Sequence, residues 1–393
     1  MTSAEPGARG ATRARPRVLV VTTWLPSEGA PSTGVFVGRD IAALTRVADL
    51  RVVHLVPPGA TDAVSRHLLA GVPVWQVPMS PTDPVSVLGA LPHLRAALAG
   101  ADVLHSMAVS SLVPLALLRP DIPWVHTEHW SAFAADPTGP RGMALRVVAS
   151  AERLPHVVAA VSPFLAHRLH DLSGRSVEVV PNVVDAPPPT PRRVLGGGDV
   201  LEVVGVGALV PRKRPLLAVE AVAAIIAGGR AARLTWVGSG PLEGQVRERA
   251  RRLGVPLVLT GSVPAQRVPA LLAASDVFLV PSLRETFFLG AAEALAAGRP
   301  VVVGEAGGPG FFVRPPAGIV VDSADPRDFA RGVLRVMDMT SGMDAAEIAR
   351  GVRAFTPAAL ADAYDELYRR AGDLHRAGTR RRSGNGRMSP CTS

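Results

Sequence analysis

Short runs of apolar, mostly β-branched residues recur along this chain, with room for a helix between one run and the next. Seven runs lie in the first half and six in the second, from "RVLVVTT" at residue 17 to "GIVVDS" at residue 318. They are apolar throughout rather than alternating, which is typical of strands that helices cover on both faces of a parallel sheet. The pattern predicts an α/β fold with two doubly wound parallel sheets.

The two series of strands are separated by "DAPPPTPRRVLGGGD", residues 185–199, whose four prolines and three consecutive glycines exclude regular structure. A chain of 393 residues also exceeds one ordinary core and suits two domains. The predicted units, in chain order, are a disordered basic tail (1–16), an N-terminal α/β domain (17–185), a linker (186–199), a C-terminal α/β domain (200–356), a helix that crosses back to the first domain (357–375) and a second disordered basic tail (376–393).

The formal net charge of +9 belongs mainly to the two ends of the chain. Residues 1–17 hold four arginines and one glutamate, and residues 376–393 hold five arginines and no acid. The middle of the chain is therefore close to neutral, and we expect no nucleic-acid partner. Two interpretations of the tails stay open, namely solvated ends and a weak peripheral contact with anionic lipid.

The cysteine content and the hydropathy of the chain indicate the cellular compartment in which we expect the protein. The single cysteine, Cys391, excludes an intrachain disulfide and favours a reducing cytoplasm. The longest apolar stretch, residues 103–118, is interrupted by His105, serines and Pro114, which argues against a transmembrane helix. We expect a cytoplasmic protein, with a peripheral position at the inner face of the membrane as the alternative.

The segment 275–313 is the richest in chemical information. A buried strand is followed by a loop with Glu285 and by a helix, "LGAAEALAA", that carries Glu293. The free backbone N–H groups of Leu289 and Gly290 at the start of this helix would point at a phosphate. Glu293 is placed to accept hydrogen bonds from two neighbouring hydroxyls, as on a ribose. The alternative is that both glutamates are solvated acids that complement the helix dipole.

Lys213 is the only lysine among the 42 lysines and arginines of the chain. It lies in "GALVPRK", on the loop that follows the strand "LEVVGVGAL", and the turn "GSGP" follows the next strand. Both loops are predicted at the same carboxyl edge of the sheet. A lysine ammonium is a compact charge on a flexible stem, which an arginine fork does not simply replace at a phosphate.

Taken in order, these segments resemble the GT-B glycosyltransferases of family 4, which are retaining, nucleotide-sugar-dependent enzymes. The resemblance covers Arg17 to about Arg370 and includes "TWLPSEGAPSTGVFVGRDIAAL", "PWVHTEHWS", "VVPNVVD", "GALVPRK" and "SDVFLVPS". Glu285 and Glu293, with seven residues between them, complete it. The resemblance implies two Rossmann-like domains that face each other across a cleft, the first binding the acceptor and the second binding the nucleotide sugar.

The resemblance also implies roles for individual residues. Lys213 matches the lysine that contacts the donor diphosphate, and Glu293 matches the residue that binds the ribose hydroxyls. Glu285 and His129 match residues near the transferred sugar and the reacting centre. The loop with Gly34 would approach the phosphates from the first domain. His105 matches a further histidine, for which a structural role is the alternative.

Two departures from the family pattern bear on the donor. The family has an arginine five residues before its lysine, where this chain has Ala208, and Arg212 or Arg214 is positioned to replace it. The family has glycine after the aromatic residue of its Glu-x-Phe-Gly loop, where Phe288 would narrow the phosphate approach. A weakly active or non-catalytic nucleotide-sugar binder and a nucleotide-sugar epimerase therefore stay open as alternatives to a transferase.

The resemblance implies transfer of a hexose-type sugar from a nucleotide sugar, with UDP favoured, to a hydroxyl acceptor. A glycan, a lipid-linked glycan and a secondary metabolite all stay open as that acceptor. The chain contains no Asp-x-Asp motif for a divalent metal. We therefore expect no metal and no cofactor, with side-chain cations and backbone N–H groups stabilising the charge that develops on the departing diphosphate.

Overall fold

The structure is a computed structural model that describes residues 14–26, 33–61, 63–134, 139–185, 187–196, 198–305 and 307–385. It contains two separate, largely parallel β-sheets with helices packed on both faces. The predicted α/β fold with two doubly wound sheets is therefore confirmed. Among the described residues, no helix combines the length and apolar character that a membrane crossing requires.

The first sheet has eight strands in the order β3-β4-β2-β1-β5-β6-β7-β8. Its strands are β1 (Arg17–Thr22), β2 (Asp49–Val56), β3 (Ser65–Leu69), β4 (Val72–Pro78), β5 (Val103–Met107), β6 (Trp124–Glu128), β7 (Val157–Ala160) and β8 (Glu178–Val179). The helices of this half are α1 (Val35–Leu44), α2 (Pro84–Leu98), α3 (Leu112–Leu118), α4 (Gly139–Ala149) and α5 (Pro163–Ser173). The central strands β5 and β6 are fully buried and β1 is buried except for Arg17, although β5 and β6 carry polar side chains among their apolar ones.

The second sheet has six parallel strands in the order β11-β10-β9-β12-β13-β14. Its strands are β9 (Leu201–Val206), β10 (Ala232–Val237), β11 (Leu257–Gly261), β12 (Val277–Val280), β13 (Val301–Gly304) and β14 (Gly318–Val321). The remaining helices are α6 (Pro215–Ala227), α7 (Glu243–Leu253), α8 (Val268–Ala273), α9 (Leu289–Ala296), α10 (Pro326–Met339), α11 (Ala345–Ile348) and α12 (Pro357–Asn385). In both sheets the strand order reverses once, beside β1 in the first and beside β9 in the second.

One strand of the first sheet is not among the predicted apolar runs. Strand β3 lies at the edge of the sheet and pairs antiparallel with β4, and its sequence is Ser-Arg-His-Leu-Leu. Three of its five residues are exposed and the other two are half-buried, so hydrophobicity does not reveal this strand. The first sheet is consequently mixed at one edge rather than wholly parallel.

The segment that joins the two sheets has no helix or strand between β8 and β9 in its described part. Arg299, which is almost fully buried, ties this segment to the second domain. Its guanidinium donates to the carbonyl groups of Thr190 and Pro191 and also to those of Leu272 and Ala273 at the end of α8. This buried cation thus holds the linker together with Arg193, which pairs with Asp276, and Arg192, which donates to Thr340.

The last helix returns to the first domain. Its residues Tyr364 and Tyr368 are buried in the same core cluster as β1, β2 and α1, and both hydroxyls hydrogen-bond to side chains of β5 and β6. The disordered tail predicted from residue 376 is wrong over its first part, because α12 continues to Asn385. A pair between Arg376 and Asp373, three residues apart, supports this extension. Residues 386–393 and 1–13 lie outside the described part of the chain.

Candidate functional site

The point where the second sheet reverses its strand order brings two predicted site residues together. The loop after β9 carries Lys213 and the loop after β12 carries Glu285, and these neighbouring strands end at the same sheet edge. The Nζ atom of Lys213 lies 2.7 Å from Oε1 of Glu285. The same oxygen accepts hydrogen bonds from Arg212 Nη1 at 2.8 Å and from Ser282 Oγ at 2.5 Å. Two cations and a hydroxyl therefore converge on one carboxylate.

Lys213 is nearly buried, and its surroundings explain how an ammonium is held there. An added Cβ at Gly207 would lie 3.0 Å from Cε of Lys213, so glycine leaves the space that the lysine stem occupies. The ammonium sits 4.1 Å from the ring centroid of Phe288, a cation–π contact. Burial lowers the pKa of Lys213, and the charge of Glu285 opposes that shift. The ammonium is thus stabilised by an acid and by an aromatic face.

Helix α9 starts beside this ion pair. Phe288, the residue before the helix, has a φ of 78°, the left-handed region that favours glycine. Its ring is buried against Phe278 and lies under Lys213. The ring thus packs against the ammonium that is predicted to contact the donor phosphate. The first N–H groups of the helix, on Leu289 and Gly290, start at the same edge of the sheet.

Glu293 is engaged from across the cleft. Its Oε1 lies 2.7 Å from Nη1 of Arg39, which α1 of the first domain presents. Both side chains are largely enclosed, with 12% and 16% of their surface exposed respectively. Burial raises the pKa of Glu293, whereas the charge of Arg39 lowers it. The acid predicted to bind a ribose is thus paired with a guanidinium that sequence reasoning missed.

His129 comes from the loop after β6 in the first domain and meets the second domain. Its ring is buried, and neither ring nitrogen has a hydrogen-bond partner among the described residues. The ring packs 4.8 Å from that of Phe36, and burial lowers the pKa of His129 to about 4. Its backbone carbonyl accepts a hydrogen bond of 2.9 Å from the hydroxyl of Thr286. Because Thr286 follows Glu285, this bond links His129 to the ion-pair loop.

The glycine predicted to approach the phosphates sits at the start of α1. Gly34 has a φ of 67°, and an added Cβ would lie 2.5 Å from the carbonyl carbon of Trp24. Any larger residue would therefore displace the chain at the end of β1. The preceding loop residues, 27–32, lie outside the described part of the chain.

The structure also bears on the positions where this chain departs from the family pattern. Arg212 reaches the ion pair, while the guanidinium of Arg214 donates to the carbonyl of Ser323. Of the two, Arg212 is the one placed to compensate for Ala208. His105 has its ring nitrogens bonded to Tyr368 and Thr127 inside the first domain, an arrangement that matches the structural alternative.

A buried group of titratable side chains in the first domain was not predicted. Among the described residues, His126, Glu128 and Glu152 form the group whose ligand-type atoms converge within 4.8 Å. Nothing in the local sequence predicts it, since Glu152 follows β6 by a helix and joins the group only through packing. Arg39 and Thr286 were missed for the same reason, because both act across the cleft between domains.

Comparisons with known proteins place the chain in a family. A family model described as Glycosyltransferase Family 4 matches residues 36–186, and one described as Glycosyl transferases group 1 matches residues 201–339. Together the two models match most of the chain, one in each half.

Several curated relatives carry the name D-inositol 3-phosphate glycosyltransferase. The one from Geodermatophilus obscurus is 34% identical over 271 residues, 60% of this chain and 59% of the relative. The one from Corynebacterium efficiens is 31% identical over 284 residues, 64% of this chain and 66% of the relative. A GDP-mannose-dependent alpha-(1-6)-phosphatidylinositol dimannoside mannosyltransferase of Mycobacterium tuberculosis is 40% identical over 98 residues, 25% of each chain. The matches thus span less than two thirds of the relatives' own length.

Solved structures show the same fold at low identity. A sucrose-phosphate synthase from Thermosynechococcus elongatus matches with a TM-score of 0.72 at 22% identity, covering 90% of this chain and 98% of its own. An Anabaena protein named HepE, solved with UDP and glucose, matches with a TM-score of 0.70 at 19% identity, covering 90% and 99%. The fold is therefore GT-B, and the chain belongs to the family 4 (group 1) glycosyltransferases.

Proposed function

We propose that this protein transfers a hexose-type sugar from a nucleotide-sugar donor to a hydroxyl acceptor, with retention of configuration and without a metal. One observation carries the proposal. The cations Lys213 and Arg212, the acid Glu285 and the start of α9 meet at the switch point of the second sheet, facing Arg39 and His129 of the first domain. A ligand that enters this cleft touches groups from both domains.

The charges suit departure of a nucleoside diphosphate. When the sugar–phosphate bond breaks, negative charge grows on the phosphate, and Lys213 and Arg212 are fixed beside it. Cations and N–H groups that are preorganised in this way stabilise a transition state without reorganising. The diphosphate would compete with Glu285 for these two cations, leaving the carboxylate closer to the transferred sugar. His129, neutral at physiological pH because of its burial, is suited to hydrogen bonding rather than to proton abstraction.

The donor and acceptor classes follow from the relatives by analogy. The mycobacterial relative is named as GDP-mannose-dependent, whereas the Anabaena structure contains UDP and glucose. We favour a UDP-sugar and keep a GDP-sugar as the competing donor. The first relatives are named for D-inositol 3-phosphate, so a phosphorylated cyclitol joins glycans and lipid-linked glycans as a candidate acceptor.

Two other functions, a non-catalytic binder and an epimerase, can each be distinguished from a transferase by one observation. A non-catalytic binder would bind a nucleotide sugar but turn over no acceptor, as the absence of an arginine at position 208 suggests. An epimerase would release nucleotide without any acceptor present. The preserved Lys213–Glu285 pair at 2.7 Å favours the transferase, since Arg212 already supplies the second cation.

The first experiment is a thermal-shift screen of UDP, GDP and their sugars, followed by assays of nucleotide release. A transferase gives a shift with one nucleotide and release that rises when an inositol phosphate, a glycan or a lipid-linked glycan is added. Binding without release across the acceptor panel would establish the binder instead. Release that no acceptor increases would support the epimerase or a hydrolase.

The second experiment replaces the lysine. Lys213→Arg should fold like the parent chain but lose about 100-fold or more in turnover. Removing one preorganised donor that stabilises a transition state lowers kcat by about this factor. The reason is that a planar guanidinium cannot occupy the slot between Gly207 and the ring of Phe288. Arg214→Lys is the matched control, because Arg214 bonds to Ser323 and not to the ion pair. Parental turnover in Lys213→Arg would contradict the assigned role.

A further inference from the structure

The buried titratable group of the first domain joins two elements. His126 and Glu128 lie two residues apart on β6 and so project to the same face of the strand, while Glu152 comes from a 3₁₀ turn at Ser150–Arg153. All three side chains are fully enclosed. The Nε2 atom of His126 lies 3.3 Å from Glu152 Oε1 and 3.6 Å from Glu128 Oε2. The imidazole thus stands between two carboxylates.

Glu128 fixes the backbone of two loops at the carboxyl edge of the first sheet. Its Oε1 accepts hydrogen bonds from the N–H groups of His129 at 2.7 Å and Trp130 at 2.6 Å. Its Oε2 accepts a hydrogen bond of 2.8 Å from the N–H of Val109, after β5. Bonds from backbone N–H to an ionised carboxylate are about twice as strong as neutral ones. The position of His129 therefore depends on the charge of Glu128.

An ionised carboxylate at this depth needs a compensating cation, because burial without one is costly. Burial opposes a charged imidazole, but Glu152 and Glu128 together outweigh it and raise the pKa of His126 to about 9. Burial raises the pKa of Glu152, and His126 opposes that shift. The other charged or titratable groups facing the cluster are Arg175, near Glu152, and the ring of His129 and that of His105.

The opposite nitrogen of His126 is consistent with a protonated ring. Nδ1 lies 2.8 Å from Oγ of Ser106, and the same oxygen accepts a hydrogen bond of 2.8 Å from the indole N–H of Trp124. A serine hydroxyl has two acceptor lone pairs. Donation from both Nδ1–H and the indole N–H fills them, so an imidazolium satisfies this side of the ring.

We propose that Glu152, His126 and Glu128 form a positioning relay, in which Glu152 keeps His126 as the imidazolium and His126 keeps Glu128 as the carboxylate that fixes the backbone of His129. The relay extends across the cleft, because the carbonyl of His129 accepts a hydrogen bond from Thr286, next to Glu285. Its effect on turnover rests on the proposed function, whereas its protonation does not.

A divalent cation is the competing occupant of the same three side chains. A tetrahedral site needs a fourth ligand and a neutral imidazole. Among the described residues the group supplies three, and Glu128 already accepts three backbone hydrogen bonds. These features favour a proton over a metal at His126. Metal analysis of the purified protein decides between a bound metal ion and a proton at His126.

The first test needs no substrate. Protein with labelled histidine is titrated by NMR from pH 5 to pH 10, and the His126 signal among the ten histidines is identified by its loss in His126→Gln. We expect His126 to stay protonated to about pH 9, and its pKa to fall in Glu152→Gln. The control is Glu202→Gln, which breaks a pair with Arg233 in the second domain. The proposal is overturned if His126 titrates near 6.5 in the parent chain, if Glu152→Gln leaves it unchanged, or if one metal per chain is bound.

The second test separates positioning from stability. In Glu152→Gln we expect kcat to fall by about 10- to 100-fold, the range that small misplacements of a site cause. The Kd for the nucleotide should stay within about twofold, since the second domain binds it, and Glu202→Gln should keep both values. Parental kcat in a Glu152→Gln protein whose His126 pKa has moved would overturn the relay's role in turnover. If the parent chain transfers no sugar, the proposed function fails while the titration still decides the relay.

Discussion

Phe288 allows backbone strain to be measured separately from side-chain packing. Its φ of 78° is the left-handed conformation in which glycine carries no steric penalty, yet its ring is buried against Phe278 and beneath Lys213. Replacing it with alanine or with glycine removes the same ring and the same cation–π contact. The two variants differ in how their backbones tolerate the positive φ and in the entropy of their unfolded chains. Their difference in stability therefore reports the strain.

The magnitudes can be compared directly. Losing a buried phenylalanine side chain costs about 3 to 5 kcal/mol, and this loss is common to both variants. Alanine keeps the left-handed penalty of about 1 to 2 kcal/mol, which glycine relieves. Glycine in turn loses about 0.5 to 1 kcal/mol through the greater entropy of its unfolded chain. We expect Phe288→Gly to be more stable than Phe288→Ala by about 0.5 to 1 kcal/mol, the reverse of the usual order.

The assay is urea unfolding of protein labelled with 5-fluorotryptophan. Trp236 is the only tryptophan of the second domain, so its ¹⁹F signal follows that domain alone. The control is the neighbouring Phe287, which is also buried but has no positive φ. There, glycine should be less stable than alanine. If Phe288→Gly proves no more stable than Phe288→Ala, the reasoning from backbone strain is refuted.

Two further predictions concern buried charges. Burial raises the pKa of Asp40 to about 7, so the stability associated with its proton is complete below about pH 4 and is lost as the pH rises through 7. Asp40→Asn, which can still accept from Val183 N–H, should be more stable than the parent at pH 8, by up to about 4 kcal/mol, and similar at pH 4. If the urea midpoints of the parent chain and of Asp40→Asn differ by the same amount at every pH from 4 to 8, this prediction is contradicted. Arg299→Met should release the linker and speed its proteolytic cleavage, whereas Arg314→Met, an exposed control, should not. Equal cleavage rates would show that Arg299 does not hold the linker.

Local sequence patterns predicted the strands because burial on both faces leaves a continuous apolar signature. They also indicated that the loop with Lys213 and the turn "GSGP" lie at one sheet edge, since parallel strands end together. The edge strand β3 escaped detection because an exposed edge needs no apolar residues. The predicted tail failed for a related reason. An arginine-rich composition suggested disorder, but α12 continues to Asn385 and carries Arg376, Arg380 and Arg381 at exposed positions.

Contacts between distant segments could not be predicted from the sequence. Arg39 and Glu293 are 254 residues apart, and their pairing depends on how the two domains face each other. His126 and Glu152 belong to one domain, yet only the packing of a turn against β6 joins them. Periodicity reports which face of an element is buried, not which polar group it meets there. Such pairs are found only when the fold is known.

Because α12 returns to the first domain, the two domains are not completed in the order in which their synthesis begins. Leu360, Tyr364 and Tyr368 belong to the core cluster that contains β1, so part of that core is supplied by a segment that is synthesised after the whole second domain. The second domain, contiguous from β9 to α11, has all its strands much earlier. Although domains usually fold from the N-terminus during synthesis, here the domain that begins first is finished last. A nascent chain released before residue 357 would leave the first domain with an uncovered apolar face.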